Sequence, residues 1–471
     1  MIRPTRRSDT AVIAGPNPAG RTPLSTRLLS PTPSGHCYVP PGTVRYVPLY
    51  KPLIFQWAMH DERVVRLLND YRLLVNKAVR YGLQSGVTSK FALCKHLYAQ
   101  FRCESDMYSK HVVSTFEVAA SILKNYRHRA RRGLRTKPPF VKRLFLKTEN
   151  QAFRLDRKAG ILRFPLRSRE YVWIQLPVNP YHKGMLEDPG LSLGSLTLMP
   201  DRIIIAFRKE APIPFQPEGL LALDTNESSL DGVHARAGKT EYVRARFPEV
   251  RHIQSLYFRR RRKLAKKKPH DARIRRRLLH TEGSRERRRV KQRLHILSKG
   301  IVAEAAKQRC VLVLEELSIP KLRGRSRRMN RRLSVWPQAE LHRQIEYKAR
   351  WIGVPVLKID PRNTSRRCPA CGWCDKSRMR VASVKGVFTC PCGWRLDRQL
   401  NAGVNILQTA LASNEALARA VRFQPGALRH DVVIPLCAPK SGAREEPNEG
   451  SLAEGKTEPS PTERILAAVP E

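Results

Sequence analysis

Apolar runs that stop at a carboxylate mark the second half of this 471-residue chain. GLLALD ends at Asp224, VLVLEE ends at Glu315 and Glu316, and GWRLD ends at Asp397 just before a helical pattern. A continuous apolar run is typical of a strand that is covered on both faces. Because ligands bind at the carboxyl ends of strands in α/β folds, we expect acids from neighbouring strands and from a packed helix to meet there.

Three carboxylates within a few ångströms repel one another unless cations hold them. Two Mg²⁺ ions would do so, and they would also activate a water and stabilise the leaving oxygen of a phosphodiester. Each acid also has a simpler interpretation, because an acid at a strand end is commonly a turn or capping residue. Asp397 in particular could serve only as the N-cap of the helix RQLNAGVNIL.

The charge balance favours nucleic acid as the partner. The chain has 89 Lys and Arg against 40 Asp and Glu, a formal charge of +49. A membrane surface is the rival partner, but the sequence has no run of 18 apolar residues and the basic segments lack an apolar face rich in Trp or Phe. An excess of this size predicts binding to polyanions, and we expect a cytoplasmic, nucleoid-associated protein.

Five of the ten cysteines lie within 25 positions. Cys368 and Cys371 can supply half of a tetrahedral Zn²⁺ site, and Cys390 and Cys392 can supply the other half. Cys374 is a spare that could replace one ligand. The pattern predicts a structural zinc site that fixes the loop before the last helix, and the alternative is a ribbon that folds without metal.

The domain layout follows from shifts in composition and periodicity. A strand, a helical insertion and further strands predict a β-barrel interrupted by a helical lobe, followed by an α/β domain. We expect EYVRARF to pair with GLLALD. Residues 251–300 hold 20 Lys or Arg against 3 Asp or Glu, and we expect a helical pattern there that is broken near Pro269 and Gly283. The expected segments are a disordered basic tail (1–42), the barrel (43–215) with its helical lobe (about 60–135), the α/β domain (216–422) with a basic helical insertion (about 248–308) and a zinc ribbon (about 364–396), and a disordered tail (423–471).

Four motifs in order resemble the TnpB proteins and the small type V CRISPR effector nucleases. LALDTNESSLDG resembles their first RuvC motif, and VLVLEELSI resembles the second, in which the first Glu is catalytic, here Glu315. EYKARWIGVPVLKIDPRNTSRRCPACG resembles the stretch that leads into their zinc ribbon, and DRQLNAGVNIL resembles the third RuvC motif. The resemblance covers roughly residues 218–410, and residues 43–215 match only in layout.

The resemblance implies a multidomain α+β fold. Its parts are a wedge β-barrel with an inserted recognition lobe and an RNase H-like (RuvC) nuclease domain with an inserted zinc ribbon. It implies an RNA-guided DNA endonuclease that uses two Mg²⁺ ions at Asp224, Glu315 and Asp397 and holds Zn²⁺ in the ribbon. The implied partners are a guide RNA and double-stranded target DNA, with no membrane, and the implied state is a monomer or a weak dimer on RNA.

The third motif departs from the family pattern. The family has an Asp two residues before the Asn, and this sequence has Gln399 before Asn401, with Asp397 two residues earlier. Positions two apart on one helix point in different directions, so the two residues are not equivalent within one regular helix. The alternative function is therefore a nuclease-impaired, RNA-guided DNA-binding protein that represses or marks its target. A strand-joining transposase is a third class, which no feature requires.

Overall fold

A computed structural model describes the central part of the chain. The described residues are 48–58, 61–134, 136–267, 271, 273, 277–317, 326–374, 383–384, 386–421, 423 and 433–436. All of them belong to one compact unit, Val39–Glu471. The expected tail at 1–42 lies outside the described residues.

The first half combines three long helices with two small antiparallel sheets. Helix α1 begins after Asp61, whose side chain accepts a hydrogen bond from the backbone N–H of Arg63 and so caps the helix. The helices fall inside the stretch 60–135. The elements in chain order are β1 (Leu49–Gln56), α1 (Glu62–Gln84), α2 (Lys90–Glu104), α3 (Ser109–Arg131), β2 (Leu146–Thr148), β3 (Arg154–Asp156), β4 (Ile161–Arg167), β5 (Glu170–Gln175), α4 (Pro180–Leu186), β6 (Ser192–Leu198) and β7 (Arg202–Lys209).

The described strands of the first half form two open sheets rather than the expected closed barrel. One sheet has the order β1-β7-β6-β2 and the other has the order β3-β4-β5. Residues of α1, α2, α3 and both sheets share one continuous core, so the strands are buried without closure of a barrel. In β4, Pro165 lacks an N–H group and the pairing register shifts between Pro165 and Arg167.

The second half is built on one six-stranded sheet. Its order is β12-β11-β8-β9-β10-β16, with β8, β11 and β12 parallel and with β8, β9 and β10 antiparallel. The elements in chain order are β8 (Gly219–Thr225), β9 (Ser229–Arg236), β10 (Lys239–Arg246), α5 (Pro248–Lys267), α6 (Leu279–Lys307), β11 (Cys310–Glu315), α7 (Arg327–Val335), α8 (Gln338–Ile352), β12 (Val356–Ile359), β13 (Ser383–Val384), β14 (Val387–Thr389), β15 (Arg395–Asp397), α9 (Arg398–Ala412), α10 (Glu415–Val421) and β16 (Val433–Pro435).

Helices cover both faces of this sheet. Residues of α6 and α8 form the core on one face, and residues of α9 and α10 form the core on the other. Every residue of β11 is buried, and β8 is buried except near Asp224. The prediction that the runs GLLAL and VLVL are strands covered on both faces is therefore confirmed.

Three expectations in this half are wrong. EYVRARF pairs with β9 rather than with GLLALD, because the polar segment SLDGVHAR is itself a strand and lies between them. Helix α6 continues through Gly283, where a single glycine costs a helix only about 1 kcal/mol, and the expected break near Pro269 lies outside the described residues. The tail from residue 423 is not wholly unstructured, since Val433–Pro435 pairs in parallel with β10.

The zinc-ribbon segment forms a small sheet of its own. Strands β13, β14 and β15 pair in sequence order, and the last residue of β15 is Asp397. The ribbon therefore leads directly into α9. No helix in the described ranges is both long enough and apolar enough to span a bilayer.

Candidate active site and cysteine cluster

Asp224 and Glu315 end two adjacent parallel strands. The register pairs Leu223 of β8 with Leu314 of β11, so the acid that follows each leucine emerges at the same sheet edge. Glu315 is buried, with 4% of its surface exposed. Parallel pairing of two apolar strands thus brings the two predicted carboxylates together.

Each carboxylate is held by a neighbouring polar side chain. Thr364 donates a hydrogen bond to Oε1 of Glu315 at 2.6 Å, and Asn226 donates to Oδ2 of Asp224 at 3.0 Å. Burial, and then the nearby Glu315 carboxyl, raise the pKa of Asp224 well above its usual value. Burial also raises the pKa of Glu315, against the opposing hydrogen bond from Thr364. Two adjacent acids that resist carrying charge side by side are suited to a divalent cation.

A buried histidine fixes the end of β8. Burial lowers the pKa of His342 to about 4, so its ring is neutral at pH 7. Its Nδ1 faces the side-chain amide of Gln338 at 2.9 Å and accepts that hydrogen bond. Its Nε2–H then donates to Oγ1 of Thr225 at 2.8 Å, which anchors the residue that follows Asp224.

Asp397 lies in the same cleft as the other two acids, and it also caps α9. Its Oδ1 accepts hydrogen bonds from the backbone N–H groups of Gln399 and Leu400 at 2.8 and 3.3 Å. A cleft of about 770 Å³ is lined by Asp224, Glu315 and Asp397, and Gln399 lines it as well. The structure thus brings all three predicted acids to one cleft while the capping interpretation of Asp397 also holds.

Sequence reasoning missed two charged residues beside this cleft, Asp231 and Arg244. Asp231 is fully buried on β9, directly opposite Asp224 in the strand register. It accepts hydrogen bonds from Ser229, Asn226 and Arg244. The signal in the sequence was the position of this acid between two apolar residues, Leu230 and Val233. The structure shows that both of them are buried.

Arg244 joins two of the carboxylates. Its guanidinium pairs with Asp231 and lies 3.3 Å from Oδ2 of Asp397. Both oxygens of Asp397 therefore have partners, since Oδ1 binds the amides of α9 and Oδ2 faces Arg244. A metal ion at Asp397 would share this carboxylate with a guanidinium.

Four cysteines form a second candidate centre. The sulfurs of Cys368, Cys371, Cys390 and Cys392 all lie within 4.8 Å of one another, and none of the four is in a disulfide. The Cys368–Cys392 and Cys371–Cys390 distances are 3.6 and 3.5 Å. A tetrahedral Zn²⁺ with bonds of about 2.3 Å separates its sulfurs by about 3.8 Å, so the cluster fits zinc. Cys374 is outside this group and instead makes a β-bridge with Arg367.

Polar side chains of α9 fasten the cysteine loop to the helix that covers the six-stranded sheet. Asn405 donates hydrogen bonds to the carbonyl groups of Thr364 and Arg367 at 2.7 and 2.8 Å. Asn401 donates to the same Arg367 carbonyl at 3.0 Å and accepts a hydrogen bond from the indole of Trp394. The ribbon, the first turn of α9 and the threonine that holds Glu315 therefore form one connected unit.

Comparisons with known protein families match two parts of the chain. Residues 339–406 match the Cas12f1-like TNB domain, a range that includes the four cysteines and Asp397. Residues 67–163, in the first half, match the uncharacterized protein MJ0013 family.

Several curated proteins are similar in sequence. TnpB-like protein MJ0751 of Methanocaldococcus jannaschii is 29% identical over 248 residues, which cover 51% of this chain and 87% of that protein. Cas12f1 of Sulfoacidibacillus thermotolerans is 35% identical over 24% of this chain and 25% of its own length. A putative RNA-guided DNA endonuclease of Streptomyces pristinaespiralis is 32% identical over 26% of this chain and 28% of its own length. The match thus spans most of the first relative and about a quarter of the other two.

The fold is also found in a solved structure. A cryo-EM structure of a Cas12f1–sgRNA–target DNA complex superposes with a TM-score of 0.50 at 14% identity, over 73% of this chain and 82% of that chain. At this identity the likeness is one of fold alone. Together with the ribbon match and the TnpB-like and Cas12f1 relatives, it makes this chain similar to the TnpB proteins and the type V CRISPR effectors.

Proposed function

We propose that this chain is an RNA-guided DNA endonuclease that hydrolyses phosphodiester bonds in the cleft of Asp224, Glu315 and Asp397. The observation that carries the proposal is the pair of carboxyls at the ends of β8 and β11, half-buried Asp224 and buried Glu315, with a third acid in the same cleft. One relative is named as a putative RNA-guided DNA endonuclease and another as the CRISPR-associated endodeoxyribonuclease Cas12f1, and both names support the same activity. The substrate is double-stranded target DNA, and a guide RNA selects the sequence.

The side chains of the cleft suit a magnesium site in an RNase H-like (RuvC) domain. Asp224 and Glu315 would hold the ions, and Asp397 would complete the set. Two bound Mg²⁺ ions would supply an activated water and charge stabilisation for the leaving oxygen. Asn226 and Thr364 orient the first two carboxylates, and the four-cysteine cluster, loaded with Zn²⁺, would hold the loop that precedes Asp397.

The basic helices supply the nucleic-acid surface in this proposal. Helices α5 and α6 carry most of the charge of residues 251–300, and Arg261 of α5 pairs with Glu286 of α6. The exposed lysines and arginines of α6 would contact phosphates of the guide RNA or of the guide–target duplex, which gives affinity without reading sequence.

Guided cleavage of a plasmid in Mg²⁺ tests the proposal, after the RNA that copurifies from the native locus has been sequenced to define the guide. We expect Asp224→Ala and Asp397→Asn to abolish cutting equally, because both remove a metal-binding charge. Asn keeps the helix cap, so loss of cutting in Asp397→Asn cannot be attributed to an uncapped helix. Glu316→Gln is the matched control for Glu315→Gln, since Glu316 is exposed at the cleft rim.

Two results would contradict the proposal. Unchanged cutting by Asp397→Asn would remove that residue from the site. A wild-type complex that shifts its target DNA and leaves it intact would instead be a guided binding protein. Gln399→Asp would then show whether the missing family acid is the cause, because restored cutting would assign the defect to that one position.

A further inference from the structure

A second cavity lies beside the catalytic cleft, between α5, α7 and the loop that follows β8. Its volume is about 590 Å³. Six arginines line it against two carboxylates, Glu227 and Glu286. The arginines are Arg251, Arg259, Arg261, Arg262, Arg331 and Arg332.

Only part of this positive charge is compensated. Arg332 grips Glu227 through two nitrogens, at 3.1 and 2.8 Å, and Arg261 pairs with Glu286. Arg251, Arg259 and Arg262 are exposed, and within the part of the chain that the structure describes their guanidinium groups form no ion pair or hydrogen bond. Like charges gathered in one cavity repel, so this cavity is built to receive an anion.

Aromatic side chains accompany the arginines. The Arg331 guanidinium lies 3.9 Å from the centre of the Phe258 ring, and the indole of Trp336 lines the same cavity. Guanidinium groups bind phosphates, and aromatic faces and stacked guanidiniums bind bases. The combination fits a nucleotide unit better than it fits an acidic peptide, which would use the arginines and leave the aromatic rings without a partner.

The cavity and the cleft share one short loop. Glu227 lines the cavity, and its chain neighbour Asn226 lines the cleft and holds Asp224. Trp336 donates a hydrogen bond from its indole N–H to the Asn226 carbonyl at 3.2 Å. Because Asn226 and Glu227 are consecutive, their Cα atoms are about 3.8 Å apart, so the cleft and the cavity adjoin at this loop. A strand that passes through the cleft would reach this cavity with an adjacent nucleotide.

We propose that this cavity binds a phosphate and base of single-stranded DNA next to the bond that is cut in the cleft. The proposal rests on the proposed endonuclease function. It adds a positioning site for the substrate strand that uses Arg259, Arg262 and Arg331 for phosphate, with Phe258 and Trp336 for the base.

The test is photocrosslinking of the guide-RNA complex to a short fluorescent oligothymidylate that carries 5-iododeoxyuridine, in EDTA. Without Mg²⁺ the readout is binding and does not depend on cleavage. We expect crosslinks to the peptides that contain Phe258 or Trp336. Arg259→Gln with Arg262→Gln should remove these crosslinks, weaken binding about tenfold and make the slope of log K against log[salt] less steep by about 1.4.

The matched control is Arg129→Gln with Arg131→Gln, two exposed arginines of α3 that do not line the cavity. It removes the same charge and should keep the crosslinks. All four sites are exposed on helices, so thermal unfolding should show that both variants fold. Equal loss of crosslinks in the two double variants would overturn the proposal. Crosslinks to the cavity from a guide RNA that carries 5-iodouridine, with none from the DNA, would also overturn it. A complex that crosslinks here yet never cuts would refute only the endonuclease.

Discussion

Arg244 is the residue on which the charges beside the cleft depend. It pairs with Asp231, which is fully buried, and it also faces Asp397. An ion pair of this kind adds little net stability, but removal of one partner leaves an uncompensated buried charge. Removal of the Arg244 side chain should therefore destabilise the protein by more than the intact ion pair stabilises it.

We expect Arg244→Gln to lower the free energy of unfolding by about 3–5 kcal/mol, because Asp231 would be left charged without its guanidinium partner. The double variant Asp231→Asn with Arg244→Gln should recover most of that loss, since two amides can hydrogen-bond without charge. Urea unfolding of the four members of the cycle measures both effects.

Arg246→Gln, an exposed position on the same strand, is the control and should change the stability by less than about 0.5 kcal/mol. If the double variant is as unstable as Arg244→Gln alone, the pair is not what stabilises this region, and the explanation fails.

Local pattern explains which of these residues could be predicted. Asp224 and Glu315 stand where apolar runs stop, and Asp397 stands just before a helical pattern, so each is visible in a short window of sequence. Asp231 and Arg244 meet only because β9 and β10 pair in one particular register. The contact of Asp231 with Arg244 depends on strand register, and the contact of Arg244 with Asp397 depends on a helix that lies far along the chain. Neither contact leaves a signal in a short window of sequence.

At the scale of elements, two glycines set how closely α9 lies on the sheet. A Cβ added at Gly403 of α9 would lie 2.5 Å from the Cα of Gly232 in β9, and neither backbone can yield without moving its element. The helix that begins after Asp397 therefore packs on β9 at glycine-to-glycine distance. This contact places the first turn of α9 at the cleft.

We expect Gly403→Ala to lower the free energy of unfolding by about 1–3 kcal/mol, because the new methyl group pushes α9 off β9. Gly283→Ala is the matched control, since it makes the same change inside α6, where the nearest atom is the flexible end of Arg287 at 3.5 Å. It should raise stability by about 0.5–1 kcal/mol through reduced backbone entropy. Chemical denaturation compares the two, and a stabilising Gly403→Ala would contradict the close-packing argument.

The same scale shows why some elements escaped prediction. SLDGVHAR contains Ser, Asp and Gly, which are depleted in strands, yet it is the third strand from one edge of a six-stranded sheet. Its neighbours on both sides supply the pairing that its own composition does not favour. In the first half, the alternation of strands with a helical insertion indicated β-structure correctly, but closure into a barrel depends on hydrogen bonds between edge strands that no single segment encodes.

For the molecule as a whole, composition predicted the kind of partner but not its position. The formal charge of +49 indicates a polyanion, and the structure gathers uncompensated arginines at the cavity lined by Arg259 and Arg262. The apolar runs predict that the central sheet is covered on both faces. The two sheets of the first half and their shared core with α1–α3 depend on packing between distant segments, which the sequence does not show. The sequence therefore indicates which kind of partner the molecule binds more directly than it indicates where on the molecule that partner binds.

The cysteine cluster gives the last prediction, which concerns how far a local metal site stabilises the molecule. We expect the purified wild-type chain to contain one zinc ion and Cys390→Ser to contain none. Loss of the ion should speed hydrogen exchange in residues 364–374 and 386–397 and in the first turn of α9, because Asn401 and Asn405 tie that helix to the cysteine loop. Exchange in α1 and α3 should not change, since these helices belong to a separate core.

Cys374→Ser is the matched control, because its sulfur lies outside the four-cysteine group while its position lies within the same ribbon. It should keep its zinc and its exchange pattern. Retention of zinc by Cys390→Ser would mean that Cys374 can replace a ligand, and a folded wild-type chain without zinc would establish the metal-free ribbon. If zinc is lost and α9 keeps its protection, the hydrogen bonds of Asn401 and Asn405 hold the helix without the metal. The ribbon would then not be what positions Asp397.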